Sequence, residues 1–167
     1  VKTLAVPFEG SLDYTLDAQE TGIYKFAIAA RGQTVKVSCP APGQAFSSGE
    51  KLYVFGCEGT LYFAVPAGTE NVLVEAGGSL REESDAFLID PNGKIVAEGR
   101  RLAGSKLLSA KRKDPSKYEV WSVKFNASKL FLRLGSPVVQ LFSTSPAALL
   151  VEKNTVGKYD TKMVKPV

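Results

Sequence analysis

The chain has 167 residues, of which 44% are hydrophobic and 23% charged, and its net charge is +4 at neutral pH. These values predict one folded domain over residues 1–167, and no apolar run reaches the roughly 20 residues that a membrane-spanning helix needs. Histidine is absent, which excludes Ser-His-Asp triads, Cys-His pairs and His-ligated zinc and makes an enzyme less expected.

Short apolar runs rich in Val, Ile, Leu, Phe and Tyr recur along the chain, separated by Gly, Pro, Asn and Ser clusters, which is typical of β-strands. The predicted strands are 3–7, 22–30, 33–39, 51–56, 60–65, 71–76, 85–90, 94–98, 118–125, 129–134 and 138–142. One short helix is predicted in "SPAALLVEK", where Ser145 can cap it and Pro146 would occupy its first turn. The predicted fold class is all-β, an antiparallel β-sandwich with at most one short helix.

Two segments resemble each other, "GIYKFAIAARGQTVKV" from Gly22 and "GTLYFAVPAGTENVLV" from Gly59. Each has an aromatic-Ala-aliphatic strand, a turn near a glycine and a second strand ending in Val. Two similar hairpins and a true duplication both explain the match, and both indicate antiparallel sheets with one buried face.

The chain has two cysteines, Cys39 and Cys57. If "VKVSC" and "KLYVFGC" are neighbouring antiparallel strands, Cys39 faces the neighbourhood of Lys51. Cys57 then lies about 20 Å away along the ladder, beyond bridging distance. We therefore expect buried free thiols, with a disulfide only if the two strands are not neighbours.

The stretch "DAFLIDPNGKIV", residues 85–96, joins two apolar runs and carries two aspartates. Asp90, Pro91 and Gly93 match the preferences of a type I turn, and Gly93 can adopt the left-handed conformation of a bulge. The stretch therefore predicts a hairpin in which Asp90 accepts hydrogen bonds from the backbone of its own turn.

The region from Leu61 to Glu98 resembles the bacterial pre-peptidase C-terminal domains. In that family an aromatic strand ends in a "VPAG"-like turn, and after a second strand an acidic residue precedes "L-x-L-x-D-P-x-G". The matching residues here are Val65, Pro66, Ala67, Gly68, Asp85, Phe87, Ile89, Asp90, Pro91 and Gly93. The resemblance implies a jelly-roll-like β-sandwich, similar to galactose-binding and carbohydrate-binding modules. Such modules accompany catalytic domains in secreted bacterial enzymes and bind polysaccharide, protein or sometimes calcium.

An acidic cluster of Glu82, Glu83, Asp85 and Asp90 is the best metal candidate, because Ca²⁺ takes six to eight oxygen ligands. The alternative is that the two glutamates lie in an ordinary solvated loop while Asp90 serves its turn. No cofactor is expected apart from this calcium hypothesis.

A basic segment, residues 100–117, holds seven of the 21 Lys and Arg residues against one Asp. Lys111 and Arg112 in this segment are candidates for binding an anionic ligand. The alternative is a solvated edge strand whose lysines discourage association between sheets. No aromatic residue lies between Arg100 and Lys117, which argues against a nucleic-acid partner.

The strand "YEVWSVKF" places Trp121 on the same face as Val123 and Phe125, which predicts a core position for the only tryptophan. In "LFLRL" the three leucines at 130, 132 and 134 face inward, while Phe131 and Arg133 face outward.

Exposed aromatic rings would serve a sugar ligand, because they can cover the apolar faces of pyranose rings. Tyr118 is the first candidate, since it lies on the face opposite Trp121 beside a polar loop. Tyr53, Phe55 and Tyr62 follow, and simple packing in the sheet is the alternative for each.

The favoured function is a non-catalytic accessory module of a secreted or cell-envelope bacterial protein that binds polysaccharide. A chain beginning "VKTLAVPFEG" fits a mature secreted product or a segment of a longer protein. One alternative is a structural module that packs on a neighbouring domain and has no ligand of its own. A carboxylate-dependent hydrolase, which needs two acids about 5 to 9.5 Å apart, is the less expected alternative.

Overall fold

The computed structural model describes residues 45–47, 50–79 and 83–149, together with Asp13. Contacts divide the chain into two units, Val1–Ser38 and Cys39–Val167, and every described strand belongs to the second unit. The predicted strands before residue 40, and the first copy of the repeat, lie outside the described residues. A single domain over the whole chain stays a prediction.

The described part is an antiparallel β-sheet of eight strands, which confirms the all-β fold class. The strands are β1 (Ala45–Ser47), β2 (Leu52–Val65), β3 (Asn71–Gly78), β4 (Ser84–Ile89), β5 (Ile95–Gly99), β6 (Ser105–Lys111), β7 (Glu119–Leu134) and β8 (Leu141–Ser143). A single turn of 3-10 helix, Pro146–Leu149, is the only helical element among these residues. The finer assignments, a β-sandwich and a jelly roll, remain predictions.

Two long strands form the centre of the sheet. β2 has 14 residues and β7 has 16, and they pair from Leu52 opposite Leu132 to Val65 opposite Glu119. The sequence predicted two strands in place of each, 51–56 with 60–65 and 118–125 with 129–134. This prediction was wrong about continuity, because the weakly apolar centre of each strand still belongs to the ladder, with Cys57 opposite Ala127 and Glu58 opposite Asn126.

We call the paired strands β2 and β7 the ribbon, and the side of the ribbon that faces the core changes along its length. In β7 the buried hydrophobic residues are Trp121, Val123, Phe125 and Ala127 and then Leu130, Leu132 and Leu134, so hydrophobic burial moves from odd to even positions. Gly56 of β2 lies at this point and has a positive φ of 57°, a backbone conformation that is strained for most residues other than glycine. We call residues 52–55 and 129–134 the Leu130 half, and residues 60–65 and 119–127 the Trp121 half.

Each half of the ribbon carries its own outer strands. β3 pairs with β7 in the Leu130 half and β6 pairs with β3, whereas β4 pairs with β7 in the Trp121 half and β5 pairs with β4. Ser105–Lys111 of the basic segment forms β6, which pairs only with β3 among the described strands and so lies at the edge of the described sheet.

The core draws on both halves. Trp121 is only 3% exposed, which confirms its predicted core position, and the rings of Phe63 and Phe142 meet edge to face at 6.3 Å. Leu130, Leu132 and Leu134 point inward as predicted. Burial of such side chains is the main favourable contribution to folding.

The hairpin predicted in "DAFLIDPNGKIV" is confirmed as β4, a turn and β5. The Asp90 carboxylate accepts hydrogen bonds from the amides of Asn92 and Lys94, both at 2.9 Å, and Gly93 has a φ of 80°. Burial raises the pKa of Asp90, but these amides, with Lys113, outweigh it and hold the pKa below its ordinary value of 3.8.

Replacement of Asp90 by alanine is expected to lower the free energy of unfolding by about 1 to 2 kcal/mol at neutral pH, because two turn amides lose a charged acceptor. The folded-state pKa is lowered, so the contribution is full above the ordinary pKa of 3.8 and is lost as the pH falls through the folded-state value. Urea unfolding of the wild type and the variant at neutral and acidic pH checks this. A stability difference of the same size at both pH values would contradict a role for the charge.

Candidate functional site

The structure distributes the six residues predicted to bind a ligand over several parts of the sheet, although Tyr53 and Phe55 lie together. Tyr53 lies on the outer side of the Leu130 half, whereas Tyr62 belongs to the Trp121 half. Lys111 is the last residue of the edge strand β6, and Arg112, the next residue, is buried. Tyr118 immediately precedes β7. These residues therefore do not form one site.

Tyr118, the first candidate, is half-buried and is hydrogen-bonded to the 3-10 turn at Pro146–Leu149. Its hydroxyl donates a hydrogen bond to the carbonyl of Leu149 at 2.7 Å, and burial raises the pKa of Tyr118 above its ordinary value of 10.0. This contact anchors the end of the 3-10 turn, and a role of the Tyr118 ring in sugar binding stays a prediction.

Arg112 is buried, with 4% of its surface exposed. Its guanidinium donates to the Glu119 carboxylate at 2.9 Å and to the carbonyls of Pro66, Thr69 and Lys117. The expectation that Arg112 belongs to an exposed basic surface is therefore corrected, because every one of its contacts is internal and structural. Lys111 remains exposed.

The acidic residues predicted to hold calcium have separate partners. Asp85 accepts a hydrogen bond from the Arg101 amide at 2.8 Å, Glu83 lies 3.5 Å from the Arg101 guanidinium, and Asp90 binds its own turn. Glu82 lies outside the described residues. In the part of the chain that the structure describes, no three acidic, His or Cys side chains group as a metal site would require.

Cys57 is a free thiol and is exposed at the centre of β2. Its exposure corrects the expectation of a buried thiol, and it follows from the change of inward side at Gly56. Cys39 lies outside the described residues.

The outer side of the Leu130 half carries an exposed group of aromatic and basic side chains. β2 and the residue before it contribute Lys51, Tyr53 and Phe55, and β7 contributes Lys129, Phe131 and Arg133; we call these six residues the aromatic face. Tyr53 is 55% exposed and Phe55 is 59% exposed, which is unusual for large rings.

The three rings lie next to one another. The Tyr53 and Phe55 rings are stacked at a centroid distance of 6.4 Å with 14° between their planes, and the Phe131 ring is tilted against Tyr53 at 6.2 Å. The Lys51 ammonium lies 4.1 Å from the centre of the Phe131 ring, within range of a cation–π interaction. Tyr53 and Phe131 are direct partners in the β2–β7 ladder.

Gly77 of β3 gives the Phe131 ring its position. A Cβ atom added to Gly77 would lie 2.2 Å from Cε1 of Phe131, so the ring lies directly over the β3 backbone. Rings that cover a strand glycine in this way also protect its backbone from water. A shallow hollow of about 200 Å³ opens beside the rings, lined by Tyr53, Gly77, Gly78, Ser79, Lys129, Leu130 and Phe131.

One acidic residue lies beside this face. Glu75 of β3 forms an ion pair with Arg133 and accepts a hydrogen bond from the Ser105 hydroxyl. The Ser105 hydrogen bond lowers the pKa of Glu75 below its ordinary value of 4.5, and Arg133 and Lys51 add to the lowering against the opposite effect of burial.

A second concave region lies on the outer side of the Trp121 half. It has a volume of about 440 Å³ and is lined by Thr60, Tyr62, Ile89, Asp90, Pro91, Gly93, Val120, Ser122 and Pro146. Tyr62 is half-buried, and one carboxylate oxygen of Asp90 accepts the hydrogen bonds from the backbone of its own turn. This groove contains one aromatic ring, that of Tyr62, whereas the aromatic face contains three.

Sequence reasoning selected Tyr53 and Phe55 and placed Phe131 outward, but did not join them into one site. The joining depends on the cross-strand register, in which Tyr53 meets Phe131 and Phe131 meets Gly77. The signal that was present in the sequence is the matched alternation of basic and aromatic residues, Lys51-x-Tyr53-x-Phe55 and Lys129-x-Phe131-x-Arg133.

The chain matches no protein-family model, and no curated protein sequence is significantly similar to it. Within the described residues, none of the helical structure has the length and apolar character needed to cross a membrane.

Proposed function

We propose that this chain is a non-catalytic accessory domain that binds polysaccharide through the aromatic face. Its setting would be a secreted or cell-envelope bacterial protein, where it would act beside a catalytic domain. The observation that carries the proposal is the group of three adjacent rings, Tyr53, Phe55 and Phe131, of which Tyr53 and Phe55 are exposed.

The rings support sugar binding because of their exposure and their arrangement. Large exposed apolar surfaces mark sites of interaction, since leaving them in water is unfavourable unless a partner covers them. A pyranose ring presents an apolar face of C–H groups, and the Tyr53 and Phe55 rings are nearly parallel, at 14°, so they present surfaces that successive sugars can cover.

The accessory role is supported by two features. Histidine is absent from the chain, which removes the commonest general base. Both turn motifs of the resemblance to pre-peptidase C-terminal domains form turns here, and Gly68 and Gly93 each have a positive φ. Such domains bind ligands beside enzymes, and this chain would do the same.

Affinity electrophoresis of the full chain in gels that contain different polysaccharides tests the proposal. Retardation by at least one polysaccharide is expected. Replacement of Tyr53 and Phe55 by alanine should weaken that binding at least about tenfold, as removal of central aromatic contacts does in other interfaces. Ile95→Ala is the matched control, because Ile95 is 49% exposed on β5, which joins the Trp121 half through β4 and lies away from the aromatic face.

Two results would contradict the proposal. Equal weakening by the Ile95 variant would show that the aromatic face is not the site. Failure of every polysaccharide to bind would favour the alternative of a structural module, in which a neighbouring domain covers the same exposed rings.

A further inference from the structure

We propose that the ligand of the aromatic face is an acidic polysaccharide whose charges are uronic acid carboxylates. This inference rests on the proposed function, since it names the class of polysaccharide that the same surface selects. It is carried by the positions of the basic side chains around the rings.

Basic residues stand at both ends of the ring group. The β2–β7 ladder ends with Leu52 opposite Leu132, and Lys51 and Arg133 lie just beyond this pair at one end of the face. Lys129 pairs with Phe55 at the other end. From Lys129 to Arg133 the face extends about 13 Å along β7 at the usual rise of a strand. A sugar chain lying along the rings would therefore meet a cation before and after them.

Two of these cations are available to a ligand. Arg133 is held by Glu75, whereas the Lys129 side chain is exposed and has no ion pair within the described residues. The Lys51 ammonium lies over the Phe131 ring, which fixes it beside the surface that a sugar would cover. A charge placed against a stacked ring selects ligands that present an anion next to an apolar face.

The balance of charge favours carboxylates over a dense row of sulfates. Three basic side chains face one carboxylate, Glu75, so the surface is only moderately positive. A densely charged polymer is bound by many cations that displace its counterions, and the Glu75 carboxylate beside Arg133 would oppose it. A polyuronate carries its charge on the sugar itself and leaves both ring faces free for stacking.

Isothermal titration of the full chain with four polymers tests this inference. Polygalacturonate is expected to bind, while fully methyl-esterified polygalacturonate, which has the same backbone without the charge, should bind roughly tenfold more weakly or worse. Dextran sulfate and single-stranded oligothymidine test whether charge density, or aromatic stacking on bases, is recognised instead.

Exchange of Lys51 and of Lys129 for glutamine should each reduce the affinity for polygalacturonate by roughly five- to tenfold. Lys124→Gln is the matched control, because Lys124 is an exposed β7 lysine in the Trp121 half; the same loss of charge there should leave the affinity within about twofold.

The outcomes separate this inference from the proposed function. Equal binding of the charged and the esterified polymer would overturn the inference of an acidic ligand but would leave the proposal of polysaccharide binding intact. Tighter binding of dextran sulfate or of the oligonucleotide than of polygalacturonate would overturn the inference that the ligand is a polyuronate. Binding of none of the four polymers, together with binding of a neutral polysaccharide by gel retardation, would overturn only this inference. An absence of all polysaccharide binding would overturn both.

Discussion

Replacement of Arg112 by leucine is expected to lower the free energy of unfolding by about 3 to 5 kcal/mol, as the loss of one partner from a buried ion pair does. The guanidinium joins the turn after β2, through Pro66 and Thr69, to the start of β7 at Glu119. Leucine fills part of the space but donates no hydrogen bond. The carbonyls and the carboxylate would then be left without their donor in a place that water reaches poorly.

Urea unfolding monitored by tryptophan fluorescence measures this effect, and the fluorescence also reports on the Arg112–Glu119 network. The Trp121 indole donates to the same Glu119 oxygen that Arg112 binds, at 2.8 Å, so its environment changes with the network. Arg100→Leu is the matched control, since Arg100 forms an exposed ion pair with Glu98. Its unfolding midpoint should stay close to that of the wild type. A similar small shift for the Arg112 variant would show that the network contributes little.

Exchange of Gly77 for valine is expected to lower the free energy of unfolding by about 1 to 3 kcal/mol, the usual cost of inserting atoms into an occupied place. The new Cβ would lie 2.2 Å from Cε1 of Phe131, so the ring must leave the β3 backbone. Tyr53 loses its tilted neighbour when the ring moves. Polysaccharide binding should therefore fall although none of the six residues of the aromatic face has been changed.

A double-mutant cycle with Phe131→Ala identifies the cause. Removal of the ring removes the clash, so Gly77→Val should be nearly neutral for stability in that background, where valine also suits a strand. Equal costs in the two backgrounds would show that the glycine is needed for another reason. Gly104→Ala is the control glycine, because a Cβ there meets nothing within 4 Å.

The local patterns of the sequence predicted much of this architecture. Alternation placed Trp121 and the three leucines of "LFLRL" in the core, and turn preferences placed Asp90 and Gly93 in a hairpin. These features depend on residues that are close in the sequence, where period and turn chemistry decide the outcome.

The features that the sequence did not predict depend on pairing between distant residues. The centre of β2 contains Gly56 and Gly59 and was interpreted as a break, yet pairing with β7 continues through it. Arg112 is one of seven basic residues in its segment, and nothing local distinguishes it from the exposed ones. Its burial depends on the carbonyls of Pro66 and Thr69, more than 40 positions away.

The change of inward side at Gly56 has a consequence for how the two halves of the described sheet are linked. β2 and β7 are members of both halves, so the Leu130 half and the Trp121 half share the same two backbones. The pairing of β2 with β7 runs from one half into the other, so no loop separates the two halves along these strands. A distortion at Gly56 would therefore be transmitted to both halves through the same two backbones.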